Sequence, residues 1–344
     1  MIITKQISFV KLIFGSSIHI VQLSAFMIPI TALYYFNIIS VSIPWAPITI
    51  IGTAVSFYVG FKNNQSYDRV WEARKIWGGI VNNSRTWGMI VDGYITNQFL
   101  EKKENSNEID QIKKKLIYRH IAWLYAHRSQ LLVPTNWERM SQGGKTTAKA
   151  KDIQKKFGVG LLDGEEIRTK LRFFLVEKEH DRLVAYANTA TQIINQQSRD
   201  LTELRARGFI DDFRHMGMEN ILAEFYTLQG KNERIKKFPF PRQYSSMSKF
   251  FVNIFIVLLP FSVIPQIINS SDWGIWISTP FAILIGWIYL MMEKVGDYSE
   301  NPFEGMANDI PMMSLSRTIE IDLREMLGEK NLPSKIQPKN GILM

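Results

Sequence analysis

The sequence contains no cysteine and only five histidines among its 344 residues. The absence of cysteine excludes a disulfide, a thiolate metal site and a cysteine nucleophile. The histidines form no HxxxH pair, and the spacings of a nucleophile elbow, a zinc protease or a phosphate-binding loop are also missing. We therefore predict no catalytic residues and no metal site, and we do not expect an enzyme.

Charged residues are absent from two long stretches of the chain. Residues 12–61 contain no lysine, arginine, aspartate or glutamate, and in residues 250–292 the only charge is Asp272. Each stretch is too long for one membrane crossing and suits two, since a helical span takes about 20 residues. Polar connectors at 37–44 and 269–273 divide the stretches, and Asp272 lies in the second connector. The predicted transmembrane helices are residues 12–36, 45–61, 250–268 and 274–292.

All lysines and arginines lie outside these two stretches. By the positive-inside rule, both termini and the long middle segment are predicted to lie in the cytoplasm and the two connectors outside. The first apolar stretch is too long for a signal peptide, and no clear cleavage site follows it. The predicted divisions are residues 1–61 with the first two spans, 62–249 as a large helical cytoplasmic region, 250–293 with the last two spans, and 294–344 as a cytoplasmic C-terminal segment.

The second span runs into a charged segment without an intervening proline. Residues 45–61 are uncharged and Lys62 begins the polar sequence, so we predict a single helix that leaves the bilayer at about Phe61. Thr53, Phe57 and Phe61 fall at i, i+4 and i+8 and share one face of this helix. Aromatic residues at helical spacing usually serve ordinary packing, so the pattern alone is compatible with a packing face as well as a pore constriction.

The other segments also predict helices, and the fold class is all-α. Residues 62–249 are predicted to be mainly helical, because residues 116–131 and 165–183 place apolar side chains at three- and four-residue spacings. A flexible excursion is expected at 141–156, where GGKTTAKAK occurs. Residues 185–204 predict a helix rich in glutamine, asparagine and threonine. Pro260 and Pro265 should kink the third span.

Polar side chains interrupt the first span. Ser16, His19 and Gln22 lie within it, and the last two are three residues apart and share a face. We favour hydrogen bonding to neighbouring spans over the lining of a conduit, because polar contacts between helices are common in membrane bundles.

Five carboxylates follow the fourth span closely. They are Glu293, Asp297, Glu300, Glu304 and Asp309. Such oxygens suit hard cations, but calcium usually takes at least about six ligands. The group is therefore a weak candidate for a cation site, and we favour a turn that connects helices and docks the C-terminal tail on the cytoplasmic region.

The net charge of +9 raises the question of nucleic acid as a partner. No basic stripe interleaved with aromatic residues is present, so we predict no nucleic-acid binding. The positive-inside distribution and contact with anionic membrane lipid explain the charge more simply.

Four segments resemble the bestrophin family, and they follow the expected order over most of the chain. FKNNQSYDRVWEARKIWG at 61–78 resembles the family signature, and ENPFEGMANDIPMMSLSRTIEIDLREMLGE at 300–329 resembles the NPF segment with its following helix. RHIAWLYAHRSQL at 119–131 and YTLQGKNERIKKFPFPRQY at 226–244 are similar to segments of bacterial members. Together these four matches are specific for the family, whereas one match alone would be less specific.

The resemblance implies a homopentamer with one central pore. Its hydrophobic neck would be lined by Thr53, Phe57 and Phe61, although Thr53 departs from the aliphatic residue usual there. The cytoplasmic exit would be constricted at about Met216, with His215 a close rival. In eukaryotic members, consecutive acidic residues after NPF form a calcium clasp. Here Glu-Gly-Met-Ala-Asn-Asp follows NPF, which argues against calcium regulation, and no cofactor is expected.

The resemblance leaves the ion open. Eukaryotic members pass anions, whereas bacterial relatives can favour monovalent cations, and the predicted neck is uncharged. We expect a passive channel for small inorganic ions in a bacterial inner membrane. Its expected partners are further copies of the same chain and membrane lipid. Two alternatives remain: a membrane-anchored scaffold or sensory protein, and a membrane lipid enzyme that uses His127 and the acidic group.

Overall fold

The computed structural model describes residues 1–6, 8–98, 106–157, 164–268 and 273–344. Within these ranges the regular structure is helical apart from isolated bridges, which confirms the all-α class. Asp272 and most of its predicted connector lie outside the described residues. The helices are α1 (Phe9–Tyr35), α2 (Trp45–Tyr94), α3 (Ser106–Leu132), α4 (Gly144–Phe157), α5 (Gly164–Phe174), α6 (Glu177–Val184), α7 (Thr189–Ala206), α8 (Asp212–Lys237), α9 (Arg242–Leu258), α10 (Pro260–Ile268), α11 (Gly274–Ser299) and α12 (Met312–Met326), with a 3₁₀ turn at Arg139–Ser141.

The chain divides into two compact units. The spanning unit consists of Thr4–Arg69 and Pro239–Asn301, and it contains all of the residues predicted to cross the membrane. The body unit consists of Met1–Ile3, Val70–Phe238 and Pro302–Met344.

α2 is one helix of 50 residues, which confirms that the second predicted span continues past Phe61. Pro44 precedes the helix, and Pro47 lies in its first turn, where a missing N–H removes no helical hydrogen bond. No further proline occurs before Tyr94, so no proline interrupts the backbone hydrogen bonds of the helix. The first part of α2 belongs to the spanning unit and the last part to the body unit.

Three helical segments among the described residues are long and apolar enough to cross a membrane. They are Leu12–Tyr35, Arg242–Ile268 and Gly274–Ser299, which correspond to the first, third and fourth predicted spans. The first part of α2 is not among them. Thr49, Thr53 and Ser56 dilute its apolar residues, and Lys62 follows directly. A crossing by α2 therefore stays a prediction.

The helix that contains the third predicted span starts before the apolar stretch and is interrupted at Pro260, one of the two prolines predicted to kink it. α9 begins at Arg242 rather than at residue 250. Pro241 precedes this start and is pre-set for it, and the first turns of the helix are polar, so apolar sequence alone does not mark the beginning. α9 gives way to α10 at Pro260, whose ring removes an N–H from the ladder. Pro265 lies inside α10 without ending it.

Polar side chains of α1 follow the prediction in part. The indole Nε1 of Trp287 on α11 donates to the hydroxyl of Ser16 at 2.9 Å, which confirms one bond between spans. His19 and Gln22 instead bond to each other, with 3.3 Å between Nδ1 and Oε1. For these two residues a bond to another span is not seen among the described residues of the single chain, and it stays a prediction.

α3 lies at the centre of the body unit and contacts α5, α7, α8 and α12. The indole Nε1 of Trp123 donates to Oε1 of Gln229 at 2.9 Å. His127 stacks on Trp123 with 5.6 Å between ring centroids. Burial lowers the pKa of His127 to about 4, so this imidazole is a neutral core side chain at neutral pH.

The segment at 141–156 is not a flexible excursion, because most of it forms α4. Gly143 and Gly144 adopt φ of 76° and 53°, which glycine tolerates without strain, and they lead into the helix. Gln154 is buried and donates to the backbone oxygen of Glu304 at 2.6 Å. This contact is made to a residue far along the chain, so the local sequence gave no sign of it.

A buried ionic network joins α3 to α6 and α7. The guanidinium of Arg119 donates to both carboxylate oxygens of Glu179, at 2.5 and 3.0 Å. It also donates to Asp200 at 2.8 Å and to Gln197 at 3.0 Å. The polar helix predicted at 185–204 is confirmed as α7, and its polar residues serve packing inside the body unit.

Replacing Arg119 with methionine should destabilise the protein by about 3–5 kcal/mol, because Asp200 and Glu179 lose a buried partner. Thermal or denaturant unfolding of the full-length protein in detergent measures the change. The matched control is Arg172→Met, since Arg172 is 61% exposed and 3.9 Å from Asp181. We expect less than about 1 kcal/mol for the control. Equal losses in the two variants would contradict a structural role for the network.

Candidate pore-lining site

Thr53, Phe57 and Phe61 lie on a face of α2 that the spanning unit leaves uncovered. Phe57 is 66% exposed and Phe61 is 64% exposed in the single chain, and Thr53 is also exposed. The buried residues of the same helix segment include Ile48, Val55 and Val59. Because apolar rings are costly to leave in water, this face requires lipid, another chain or a narrow pore beside it.

The exposed stripe continues along α2 beyond the apolar segment. Its further members are Asn64, Asp68, Trp71, Lys75 and Asn82. They follow Phe61 at steps of three and four residues up to Lys75, and Asn82 lies seven residues, or about two turns, further on, which keeps them on one face of the helix. The stripe therefore changes from apolar to mainly polar just after Phe61.

Contacts on the buried side of α2 fix its position against α9 and α11. The hydroxyl of Tyr289 donates to the backbone oxygen of Gly52 at 3.0 Å and accepts from the hydroxyl of Ser56 at 3.0 Å. The ring of Phe255 lies 4.3 Å from that of Tyr289, between centroids. A Cβ at Gly52 would lie 2.9 Å from the Phe255 ring, so the helices approach too closely for a larger residue. Gly52, which precedes Thr53, is thus held by the hydrogen bond to its backbone oxygen and by the Phe255 ring packed against it.

Lys62 anchors α2 directly after Phe61. Its side chain is fully buried, and Nζ lies 2.6 Å from Oε1 of Glu293 and 3.3 Å from Oδ1 of Asp297. The hydroxyl of Ser248 donates to the other oxygen of Glu293 at 2.5 Å. Lys62 adjoins Phe61 in sequence, so a fixed Lys62 also fixes the backbone from which that ring projects. Sequence reasoning missed this anchor.

The five acidic residues do not form one cation site, which corrects the weak candidate. Glu293 and Asp297 bind Lys62. Oε1 of Glu300 lies 3.6 Å from Nη1 of Arg242. Oε2 of Glu304 lies 2.7 Å from Nη1 of Arg139 and belongs to the other unit. No group of three or more metal-ligating side chains is present among the described residues. Proximity in sequence was misleading, because four of the five carboxylates pair with protein cations instead.

Asp309 closes the turn that follows the NPF segment. Its Oδ2 accepts hydrogen bonds from the backbone N–H of Gly305 at 2.6 Å and of Met306 at 2.9 Å. Burial, with a smaller contribution from the nearby Glu304 carboxylate, raises the pKa of Asp309 to about 7. With the Glu304–Arg139 pair, this geometry confirms the predicted docking turn within the body unit.

Stability should fall with rising pH through the titration of Asp309. Its pKa is about 7 in the folded protein and lies at 3.8 ordinarily, so between these values the folded state holds a proton that the unfolded state has released. This contribution favours folding at low pH and is lost as pH rises toward 7, with a slope of up to about 1.4 kcal/mol per pH unit.

Thermal unfolding from pH 5 to 8 measures this slope in wild type and in Asp309→Asn. The asparagine keeps an oxygen that can accept from Gly305 and Met306 but does not titrate, so the slope should become shallower. The control is Asp152→Asn, at an exposed carboxylate of α4. An identical slope in wild type and Asp309→Asn would contradict the prediction.

Met216 and His215 lie in the first turns of α8. Met216 is 63% exposed, whereas the side chain of His215 is 20% exposed and its Nε2 lies 3.5 Å from Oε1 of Glu219. Of the two, Met216 is thus the better candidate for the cytoplasmic constriction, which stays a prediction. Phe213, which is 87% exposed, precedes Met216 by one helical turn.

Apolar helices of membrane-crossing length and one long helix with an uncovered apolar stripe define a multi-helix membrane protein. The family model described as bacterial/fungal bestrophin protein matches residues 1–325. The chain belongs to this bestrophin family.

Curated relatives and solved structures agree with this assignment. The voltage-dependent anion channel-forming protein YneE of Escherichia coli K12 is 24% identical over 314 residues, which cover 91% of this chain and 85% of that protein. A voltage-dependent anion channel-forming protein of Mesorhizobium japonicum is 25% identical over 293 residues, or 85% of this chain and 77% of that protein. The crystal structure of a bacterial bestrophin homologue from Klebsiella pneumoniae has a TM-score of 0.70 at 21% identity, covering 93% of this chain and 100% of that one. At this identity the structural likeness establishes the fold alone.

Proposed function

We propose that the chain is one subunit of a homopentameric channel that passes small monovalent ions passively across the bacterial inner membrane. The neck of the pore is formed by rings of Thr53, Phe57 and Phe61 around the pentamer axis. The observation that carries this proposal is the exposure of Phe57 and Phe61, 66% and 64%, on the uncovered face of α2. Five copies of that face would shield the rings from bulk water and leave a narrow path between them.

In this proposal each subunit crosses the membrane four times, with both termini in the cytoplasm. α1, the segment Arg242–Ile268 and α11 provide three crossings, and the first part of α2 provides the fourth. α2 supports a crossing in spite of its lower hydropathy because its polar Thr53 lines the pore and its Lys62 is neutralised by Glu293.

A hydrophobic neck does not bind ions. It limits conduction because filling the neck with water costs free energy. The neck residues carry no charge, so they give no preference for the sign of the ion. The exposed stripe below them contains both Asp68 and Lys75 and is also mixed. Relatives are named as anion channels, which supports chloride, while a monovalent cation remains the alternative. No cofactor is required, and calcium is not needed for gating.

The deciding experiment is a reversal-potential measurement on the protein in planar bilayers under a potassium chloride gradient. A reversal potential near the chloride equilibrium value identifies an anion channel, and one near the potassium value identifies a cation channel. No current from a verified pentamer would contradict the proposed function.

Two other functions receive less support. The lipid-enzyme alternative depended on His127, which is fully buried between aromatic rings and cannot reach a substrate. The scaffold alternative predicts no requirement for a pentamer. Native mass spectrometry tests it, since a monomer or dimer as the largest species would favour a scaffold over a channel.

A further inference from the structure

A groove of about 420 Å³ runs between α1, α9 and α11 of the spanning unit. Its lining includes the polar Lys249, Asn253 and Lys294 and the apolar Phe26, Val257 and Leu290. None of them belongs to the pore stripe of α2. The groove is therefore a separate feature of the membrane-facing unit.

The lining changes from polar to apolar in the same direction on all three helices. On α9 the order is Lys249, Asn253 and then Val257, over about 12 Å at 1.5 Å per residue. On α11 Lys294 lies nearer the helix end, and Leu290 lies one turn deeper. On α1 the polar His19 and Gln22 likewise precede Leu23 and Phe26. A ligand that fits must carry a polar head and an apolar tail.

The polar end of the groove carries excess positive charge. Glu293 is occupied by the buried Lys62, and Asp297 lies 3.3 Å from both Lys62 and Lys294. Lys249 is exposed and forms no ion pair with a carboxylate among the described residues. Three lysines thus face two carboxylates, and the unbalanced charge favours an anionic head.

We propose that this groove binds one anionic diacyl phospholipid, with its phosphate at Lys249 and Lys294 and an acyl chain along Phe26, Val257 and Leu290. His19, fixed by its bond to Gln22, and Asn253 offer hydrogen bonds to the glycerol region. The basic end lies toward the ends of the spans, where lipid phosphates lie, and the apolar end lies toward the membrane core. The inference does not depend on the pore.

Native mass spectrometry and thermal unfolding of the purified protein test this, with dioleoylphosphatidylglycerol or dioleoylphosphatidylcholine added. Wild type should retain phosphatidylglycerol preferentially and unfold at a higher temperature with it. Lys249→Gln/Lys294→Gln should lose about 25-fold in affinity, because each of the two lysines near a lipid surface contributes about a factor of five. The matched control removes the same charge at two exposed lysines of α4, Lys151→Gln/Lys155→Gln, and should bind as wild type does.

A shape variant separates the groove from general attraction between lysines and lipid. Val257→Trp fills the apolar end at a position that is 49% exposed, and it should reduce phosphatidylglycerol retention without changing the charge. Glycerol phosphate without acyl chains should not compete. Equal binding of both lipids, or unchanged binding in both groove variants, would overturn the proposal. Loss of the oligomer in Val257→Trp without a lipid preference would overturn it in favour of a subunit contact.

Discussion

Phe57→Ala and Phe61→Ala are expected to raise ion flux through proteoliposomes, and the double variant should raise it most. Each substitution removes a ring of phenyl groups from the proposed neck, which widens it and lowers the cost of wetting. Every 1.4 kcal/mol removed from the barrier raises the rate about tenfold, so even a modest change in wetting is easily measured. The two side chains are exposed in the single subunit, so their truncation should disturb its fold little.

The matched control is Phe14→Ala. Phe14 is 75% exposed on α1, so this change removes an equally accessible ring from the spanning unit away from the neck stripe. Flux should stay at the wild-type level in this variant. Unchanged flux in both Phe57→Ala and Phe61→Ala would remove these residues from the gate, while a rise in Phe14→Ala would indicate a general leak.

The sequence allowed the continuity of α2 and the shared face of its neck residues to be predicted. Both depend on local features: the absence of proline after Pro47 and a spacing of four residues between Thr53, Phe57 and Phe61. Which way that face turns could not be predicted, because outward exposure depends on what α9 and α11 bury. The structure supplied this answer by covering Val55 and leaving Phe57 exposed.

Errors in prediction arose where distant partners determine local structure. α4 was missed because this segment is ordered partly by the hydrogen bond of Gln154, whose partner Glu304 lies 150 residues away. The five carboxylates were wrongly assigned to one candidate cation site for the same reason, since Glu304 pairs with Arg139, 165 positions away in the sequence. A single sequence gives spacing along the chain, but it gives no pairing between distant charges.

The Lys62–Glu293 pair was also invisible to sequence reasoning, and breaking it should have a large effect. Lys62→Met leaves Glu293, which is 3% exposed, with only the Ser248 hydroxyl and no cation at 2.6 Å. Loss of one partner of a buried pair costs about 3–5 kcal/mol, so the thermal midpoint should fall markedly. Because Lys62 follows Phe61 directly, the loosened backbone should also let the neck open more often and raise flux at rest.

A double-mutant cycle separates the pair from each residue alone. Lys62→Met/Glu293→Met replaces both charges with apolar side chains, which often restores stability, so the double variant should be more stable than Lys62→Met. The coupling should exceed about 2 kcal/mol, whereas Lys75 and Glu72, an exposed pair at 2.8 Å, should couple by less than about 1 kcal/mol. Additive losses at Lys62 and Glu293 would contradict the pairing. Restored stability together with restored low flux would show that the anchor acts on conduction by holding α2 in place, because the double variant recovers packing without recovering charge.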